Sequence, residues 1–166
     1  MMKYTSIDHF SDFEFHDAKI RLISFVNDHL LVEAKYLNIH KNAEQNPFET
    51  DMEIACARIG FEGFHIVSYK PDPTWKTAEK GKPVPDEPQV IFCEAEALRR
   101  FLAQLKMGIS IFDFDTTEAN TYFIDALTAN SFFTVCFTYD RLLIEWDNYK
   151  GEAWYTQKGK QGPFRP

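Results

Sequence analysis

The chain has 166 residues, of which 45% are hydrophobic and 16% aromatic, so it is too apolar to be intrinsically disordered. No run approaches the roughly 20 apolar residues of a membrane-spanning helix. The first 15 residues lack the apolar stretch of a secretory signal, and we therefore expect a cytoplasmic protein without membrane contacts. The formal net charge of −7 argues against nucleic acid as a partner, because an acidic surface repels phosphate backbones.

The first clear element is a predicted β-hairpin over residues 19–37. Two alternating runs flank Asn27-Asp28, and both residue types tolerate the backbone of a tight turn. The alternation places Ile23 on the buried side of this hairpin, together with Phe25.

A His-Asp dipeptide, His16-Asp17, precedes this hairpin and is a candidate catalytic pair or metal site. Neighbouring side chains on an extended chain point to opposite faces, so the two would not contact each other. Catalysis would need a third group, which the sequence does not identify. We therefore expect His16-Asp17 to begin the first strand.

The middle of the chain alternates and then loses its regular pattern. Residues 52–69 predict a second hairpin that turns at Glu62-Gly63, since glycine adopts the positive φ of a tight reversal. Residues 70–88 contain five prolines and four lysines and predict a surface loop. Trp75 in that loop either folds back onto the core or binds a partner.

Residues 94–107 predict the main helix. Four apolar residues recur at helical spacing and form one stripe: Leu98, Phe101, Leu102 and Leu105. Glu94 and Glu96 lie in the first turn, Lys106 in the last, and Gly108 is suited to end the helix. One amphipathic helix among many strands should pack across one face of a sheet.

A cluster of acids follows the helix at residues 113–118. Asp113, Asp115 and Glu118 resemble an oxygen-ligand loop for a cation, but the sixth and twelfth positions of an EF-hand would fall on Glu118 and Ile124 and do not fit. A solvated turn or helix cap is the simpler interpretation. Residues 119–129 are ambiguous between strand and helix, and the run Thr-Tyr-Phe-Ile favours strand.

The last strong pattern is a third predicted hairpin at residues 132–147, turning at Asp140-Arg141. It buries Trp146 in the core. The tail is rich in glycine, proline and lysine and is expected to fray after residue 155. Trp154 and Tyr155 are residue types that anchor interfaces.

These elements predict a single α+β domain over residues 1–166, with an antiparallel twisted sheet of about six to eight strands and one main helix on one face. The three cysteines have no C-x-x-C spacing, and the five histidines lack a metal-binding pattern, so we expect neither a metal nor another cofactor.

The charge is uneven, and this predicts a class of partner. Residues 108–149 hold seven acids against one base, Arg141. Such a surface would attract a basic protein, although an acidic surface also serves solubility. Exposed strand edges would alternatively let copies of the chain associate with each other.

The two ends of the chain resemble a type of bacterial family. The stretches FHDAKI (residues 15–20) and ISFVNDHLLVEA (23–34), with LLIEWDNYKGEAWY (142–155), are similar to small bacterial α+β families with a Phe-His-Asp-Ala signature. Some of these are uncharacterised and others are immunity proteins of toxin systems. The resemblance implies a non-catalytic protein that neutralises a basic toxin by binding it.

Besides self-association through strand edges, two functions therefore stay open at the level of sequence. The first is a non-catalytic binding domain that uses an acidic, aromatic surface. The alternative is a small enzyme or a ligand- or metal-binding domain in which His16 and Asp17 meet an acidic loop. The candidate binding residues are His16, Asp17, Trp75, Asp113, Asp115, Trp154 and Tyr155.

Overall fold

A computed structural model describes residues 1–73, 75–77, 81–117, 120–129 and 131–157, with only the backbone described at 75–77. Short 3₁₀ helices occupy Phe10–Asp12 and Trp154–Thr156. The remaining elements are β1 (Tyr4–Ile7), β2 (Phe13–Glu14), β3 (Lys19–Val26), β4 (His29–Lys35), β5 (Asn38–Ile39), β6 (Met52–Ile54), β7 (Ala57–Glu62), β8 (His65–Pro71), β9 (Trp75–Thr77), β10 (Pro83–Pro85), α1 (Glu94–Met107), β11 (Ile109–Thr116), β12 (Tyr122–Leu127), β13 (Phe132–Thr138), β14 (Arg141–Trp146) and β15 (Tyr149–Glu152).

The fold is α+β and its strand pairs are antiparallel. The main sheet has nine strands in the order β1-β14-β7-β4-β3-β11-β12-β13-β8, so the expected six to eight strands were too few. A four-stranded sheet, β15-β6-β5-β2, and a two-stranded pair, β10-β9, complete the architecture. The short strands of these smaller sheets are two to four residues long and carry little periodic signal, which is why the sequence did not predict them.

The predicted hairpin at residues 19–37 is confirmed as β3 and β4. Asn27 and Asp28 both have positive φ, at 51° and 57°, as a two-residue reversal between twisted strands requires. A bulge between Leu22 and Ser24 shifts the register. Ile23 therefore lies 46% exposed, and its predicted burial was wrong.

The other two predicted hairpins, at residues 52–69 and 132–147, do not form, and the reason is the same for both. β7 pairs with β14 and β4, whereas β8 pairs with β13, so neither β7–β8 nor β13–β14 folds back on itself. Instead, the β7–β8 connection and the β13–β14 connection bend side by side at the same place in the fold. Arg141 lies opposite Glu62 before the bend and Thr138 lies opposite His65 after it, so one antiparallel ribbon continues through the bend in a single register.

At the bend, the backbones of the two connecting segments approach each other closely. The Asp140 N–H donates to the Glu62 carbonyl, and Gly63 has φ 65° directly beside Asp140. No residue from 139 to 141 has positive φ, which distinguishes this bend from the reversal at residues 27–28. Because β13 and β14 are consecutive in the chain but stand eighth and second in the sheet, the sheet curls until its ends meet at the bend.

The predicted helix is confirmed as α1. It contacts β8 and β3 and buries Phe101 and Leu105, while Leu98 and Leu102 are partly buried against the same core. The Phe101 ring stacks on Phe64 from the bend, with 6.1 Å between ring centroids. The helix stripe therefore packs on the curled sheet, as amphipathicity predicts.

The predicted loop at residues 70–88 contains regular structure at three places. β8 extends to Pro71, and β9 pairs with β10. The proposed fraying of the tail concerns residues from 156 onward, of which 158–166 lie outside the described residues. Trp146 is fully buried, as predicted.

The bend predicts a strong effect of Gly63→Ala. A Cβ at this position would collide with the Asp140 carboxylate, and the positive φ adds backbone strain. We expect the free energy of unfolding, measured by urea denaturation, to fall by about 2 kcal/mol. Gly151→Ala is the matched control, because no atom lies within 4 Å of its Cβ position. Equal effects of the two substitutions would contradict the proposed role of the bend.

Candidate functional site

His16 and Asp17 form a turn and do not begin a strand, so that expectation was wrong. The Ala18 N–H donates to the Phe15 carbonyl at 2.9 Å, and Asp17 has φ 69°, the positive value that the third residue of a type II turn adopts. The turn brings His16 Nδ1 to 3.2 Å from Asp17 Oδ2. The expectation that these side chains would not contact each other was therefore also wrong.

The turn docks against β11. The Asp17 N–H donates to the Ile111 carbonyl at 2.9 Å, and the His16 ring lies 5.5 Å from the ring of Phe112. The ladder is irregular between Ile111 and Asp113, which exposes Phe112 and Asp113 together. Three of the predicted residues, His16, Asp17 and Asp113, thus lie in one neighbourhood.

The outward side of β11, β12 and β13 is acidic and apolar, and we call it the acidic face. Its inward neighbours are buried, as strand alternation requires. The three strands contain three carboxylates and no lysine or arginine. On the flanking strands, Lys70 of β8 lies opposite Thr134 and Lys19 of β3 lies opposite Ser110. The charged and apolar residues of the acidic face are Phe112, Asp113, Asp115, Phe123, Asp125, Leu127 and Phe132, and Ser110, Thr134, Cys136 and Thr138 lie on the same outward side.

Two carboxylates of the acidic face lie directly opposite each other. Asp113 on β11 pairs with Asp125 on β12. Asp125 also accepts a hydrogen bond from the Thr134 hydroxyl on β13. Like charges in directly opposed positions destabilise a sheet, so this pair opposes folding stability.

Of the seven acids of residues 108–149, Glu118 lies outside the described residues, and the other six do not share one surface. The acids on and near β14 already have other neighbours: Glu145 lies opposite Arg58, Asp147 accepts the backbone N–H of Lys3, and Asp140 borders the bend. β14 stands second in the main sheet, whereas β11 and β12 stand sixth and seventh. Only the acids of β11 and β12 therefore contribute to the acidic face.

Trp154 and Tyr155 lie at a second location, which the sequence did not reveal as a cluster. The Tyr155 hydroxyl donates to Asp51 Oδ2 at 2.9 Å, and His40 Nδ1 lies 3.0 Å from the same oxygen. The backbone N–H of Lys41 donates to Asp51 Oδ1 at 2.8 Å. Trp154 is 56% exposed beside this network.

The electrostatics of this network centre on Asp51. Burial alone would raise the pKa of Asp51, but hydrogen bonds from His40, the Lys41 N–H and Tyr155 outweigh burial and lower that pKa. The pKa of Tyr155 is raised by burial, by its bond to Asp51 and by the charge of Glu14. Glu14 also accepts the backbone N–H of His16 at 2.8 Å. Glu14 therefore lies between the His16-Asp17 turn and the Asp51 network.

The structure thus separates the predicted residues into two groups. His16, Asp17, Asp113 and Asp115 belong to β11 and the turn against it, and Trp154 and Tyr155 belong to the Asp51 network. The side chain of Trp75 lies outside the described residues. His40 and Asp51 were missed because they flank an irregular segment, where spacing along the chain does not indicate contact.

The geometry offers little for catalysis. His40 held by Asp51 and His16 held by Asp17 both resemble an oriented base. Neither histidine lines either of two open surface hollows in the described structure, which measure about 200 Å³ and 350 Å³. Among the described residues, no group of three His, Cys, Asp or Glu side chains is arranged to hold a metal ion.

Comparisons with known proteins add no assignment. Neither protein-family models, nor curated proteins, nor solved structures match the chain. Within the described ranges, no helix is long and apolar enough to cross a membrane.

The lowered pKa of Asp51 predicts how stability depends on pH. Its folded-state pKa lies below the ordinary 3.8, so the ionised carboxylate stabilises the fold above that pH, and the contribution is lost as the pH falls through the folded-state pKa. We expect Asp51→Asn to lower the free energy of unfolding at pH 7 by about 1 kcal/mol. Denaturation from pH 7 to pH 2 should show the difference closing in acid.

Glu49→Gln is the control, because it removes an exposed carboxylate two residues away. It should show a smaller difference at pH 7. A deficit of Asp51→Asn that stayed constant down to pH 2 would contradict the stabilising role of the ionised carboxylate.

Proposed function

We propose that this protein is a non-catalytic binding domain that holds a basic protein partner on the acidic face. The observation that carries the proposal is the composition of that face: three carboxylates and four apolar side chains on three strands without a lysine or arginine. Phe112, Leu127 and Phe132 are each at least 40% exposed. Apolar anchors among charges of one sign are suited to a partner of opposite charge.

The opposed carboxylates strengthen this argument. A partner that places a lysine or arginine between Asp113 and Asp125 would convert their repulsion into attraction. A second copy of the same face would add further negative charge and increase the repulsion. The face therefore favours a basic partner over self-association.

The similarity of residues 15–20 and 142–155 to immunity-type families suggests the kind of partner. A toxin that acts on nucleic acid is basic, because it must bind phosphate backbones. We accordingly propose an immunity-type role in which the acidic face binds such a toxin and neutralises it.

The alternative is a ligand-binding or catalytic site at His16 and Asp17, and their 3.2 Å contact favours it. Both side chains are about half exposed, at 47% and 59%, and neither lines the two hollows. A base in that position lacks a cleft that would position a substrate. We therefore rank this function second.

The test is capture of partners from a lysate of the host with the tagged protein, followed by mass spectrometry. We expect one basic protein in stoichiometric amount that is released at high salt. The double variant Asp113→Lys/Asp115→Lys should bind it at least about tenfold more weakly, because it places like charges against the partner.

The control for this test is Glu44→Lys/Glu49→Lys, which changes the net charge equally at exposed positions of another segment. It should retain the partner. Equal capture by both double variants, or no partner at any salt concentration, would overturn the proposal and favour a screen of small molecules at His16.

The acidic face also predicts a stability effect that needs no partner. Asp113→Asn removes the repulsion with Asp125, so we expect the free energy of unfolding to rise by about 0.5 kcal/mol in urea denaturation at pH 7. Asp115→Asn is the control, since Asp115 lies opposite Phe123. A gain in the control as large as in Asp113→Asn would count against a specific like-charge pair.

A further inference from the structure

A hollow of about 350 Å³ lies between the outer side of the β3–β4 hairpin and the chain that enters β11. Three of its side chains are cationic, Lys19, Arg21 and Lys35, and one is a carboxylate, Glu33. Residues 107–110 form the remaining wall together with Ile20. In a chain with a net charge of −7, this concentration of positive charge is unusual.

The one carboxylate of the hollow already has two cationic neighbours. Glu33 lies directly opposite Arg21 on β3 and directly opposite Arg58 on β7. Opposed charges in these positions stabilise a sheet. The hollow thus has three cationic side chains against one carboxylate, so its charge stays positive.

Lys19 and Lys35 face each other across the same two strands. Like charges in this arrangement repel and destabilise the hairpin. Among the described residues, no carboxylate lies within ion-pair distance of either lysine. The Lys19 ammonium instead lies 5.5 Å from the ring of Tyr36, with the Lys150 ammonium 4.9 Å from that ring.

We propose that this hollow binds a dianionic phosphate group. A dianion supplies the charge that would offset both lysines at once, whereas a monoanion would leave part of their repulsion. The guanidinium fork of Arg21 matches two phosphate oxygens, and lysines act beside it as point charges. The carboxyl end of α1 borders the hollow and its dipole disfavours anions, so the three side chains must supply the attraction.

The volume of the hollow limits the size of the ligand that it can bind. A volume of about 350 Å³ is at the lower end of small-molecule sites, which span about 300–1,000 Å³. It accommodates free phosphate, and it also accommodates the phosphate of a monoester whose remainder extends along exposed Met107. The hollow shares β11 with the acidic face through Ile109 and Ser110, but its three cationic side chains belong to β3 and β4, so the proposed site does not require the proposed partner.

The test is a titration followed by backbone amide NMR at constant ionic strength. Three probes are used: inorganic phosphate, phenyl phosphate and acetate. We expect saturable shifts around Lys19, Arg21 and Lys35 with the two phosphates. Tighter binding of phenyl phosphate would identify a phosphomonoester as the ligand class, and equal binding would identify free phosphate.

Lys35→Gln should weaken phosphate binding at least about tenfold, because it removes one charge-assisted contact. Lys41→Gln removes an exposed lysine of another segment and should leave binding unchanged. Acetate binding as tight as phosphate, or equal affinity in the two variants, would overturn the proposal.

Thermal unfolding gives a second readout for the same variants. In phosphate-free buffer, Lys35→Gln should unfold at a higher temperature than the native chain, since the repulsion with Lys19 is gone. Added phosphate should raise the midpoint of the native chain and of Lys41→Gln more than that of Lys35→Gln. A lower midpoint of Lys35→Gln without phosphate would show a structural role for Lys35 and overturn the assignment.

Discussion

The rest of the structure depends on the bent ribbon formed by β7–β8 and β13–β14. Because both strands bend at one place and keep their pairing register through the bend, the main sheet curls around a single cluster of buried side chains. Aromatic rings fill the inside of the bend. Phe61 lies 5.7 Å from Phe137, and Tyr139 stacks on Tyr122 with 4.4 Å between centroids. Aromatic pairs at such distances add to the stability that their burial provides.

This packing has a consequence for function. The interior of the sheet is occupied by the aromatic cluster and by Phe101 of α1, so the inside of the curl is core. Chemistry and recognition are left to the outward side chains of the strands and to the turns between them. The acidic face and the basic hollow both lie on such outward surfaces, which suits binding more than catalysis in a closed cleft.

The elements that the sequence predicted correctly are those determined by signals within a few residues. The stripe of α1 and the two positive-φ residues at Asn27-Asp28 act within a few residues, and both elements formed as expected. The sequence did not predict the bent ribbon, because an alternating run of residues looks the same in a hairpin and in a strand that bends and continues. The backbone at residues 139–141 distinguishes the two, and residue type alone did not reveal it.

The same limit applies to the candidate sites. The predicted solvated turn or helix cap at Asp113 and Asp115 was wrong, because both residues lie inside β11, and which acids share a surface depends on strand order. The Asp51 network joins His40 to Tyr155, and the Tyr155 contact spans 104 residues of sequence. His16-Asp17 differed for a local reason, since Asp17 adopts a positive φ that aspartate tolerates better than most residues. Long-range pairing and one backbone angle, rather than composition, created these sites.

The main sheet carries two kinds of charged pairs, pairs of opposite charge that stabilise it and pairs of like charge that do not. One row across four strands alternates in sign: Arg21 opposite Glu33, Glu33 opposite Arg58, and Arg58 opposite Glu145. This is the arrangement that stabilises a sheet by itself.

Two other pairs on the same sheet violate it, Asp113 with Asp125 and Lys19 with Lys35, and they lie on strands of the adjoining β3–β4 and β11–β12 pairs. Both are outward and solvated, so a neutral residue at one position of each pair would relieve the repulsion without disturbing the core. A sheet that alternates charge so regularly in one row has no structural need for like pairs elsewhere. The two proposed ligands, a cationic group at the acids and an anionic group at the lysines, would each offset the repulsion of one like-charged pair.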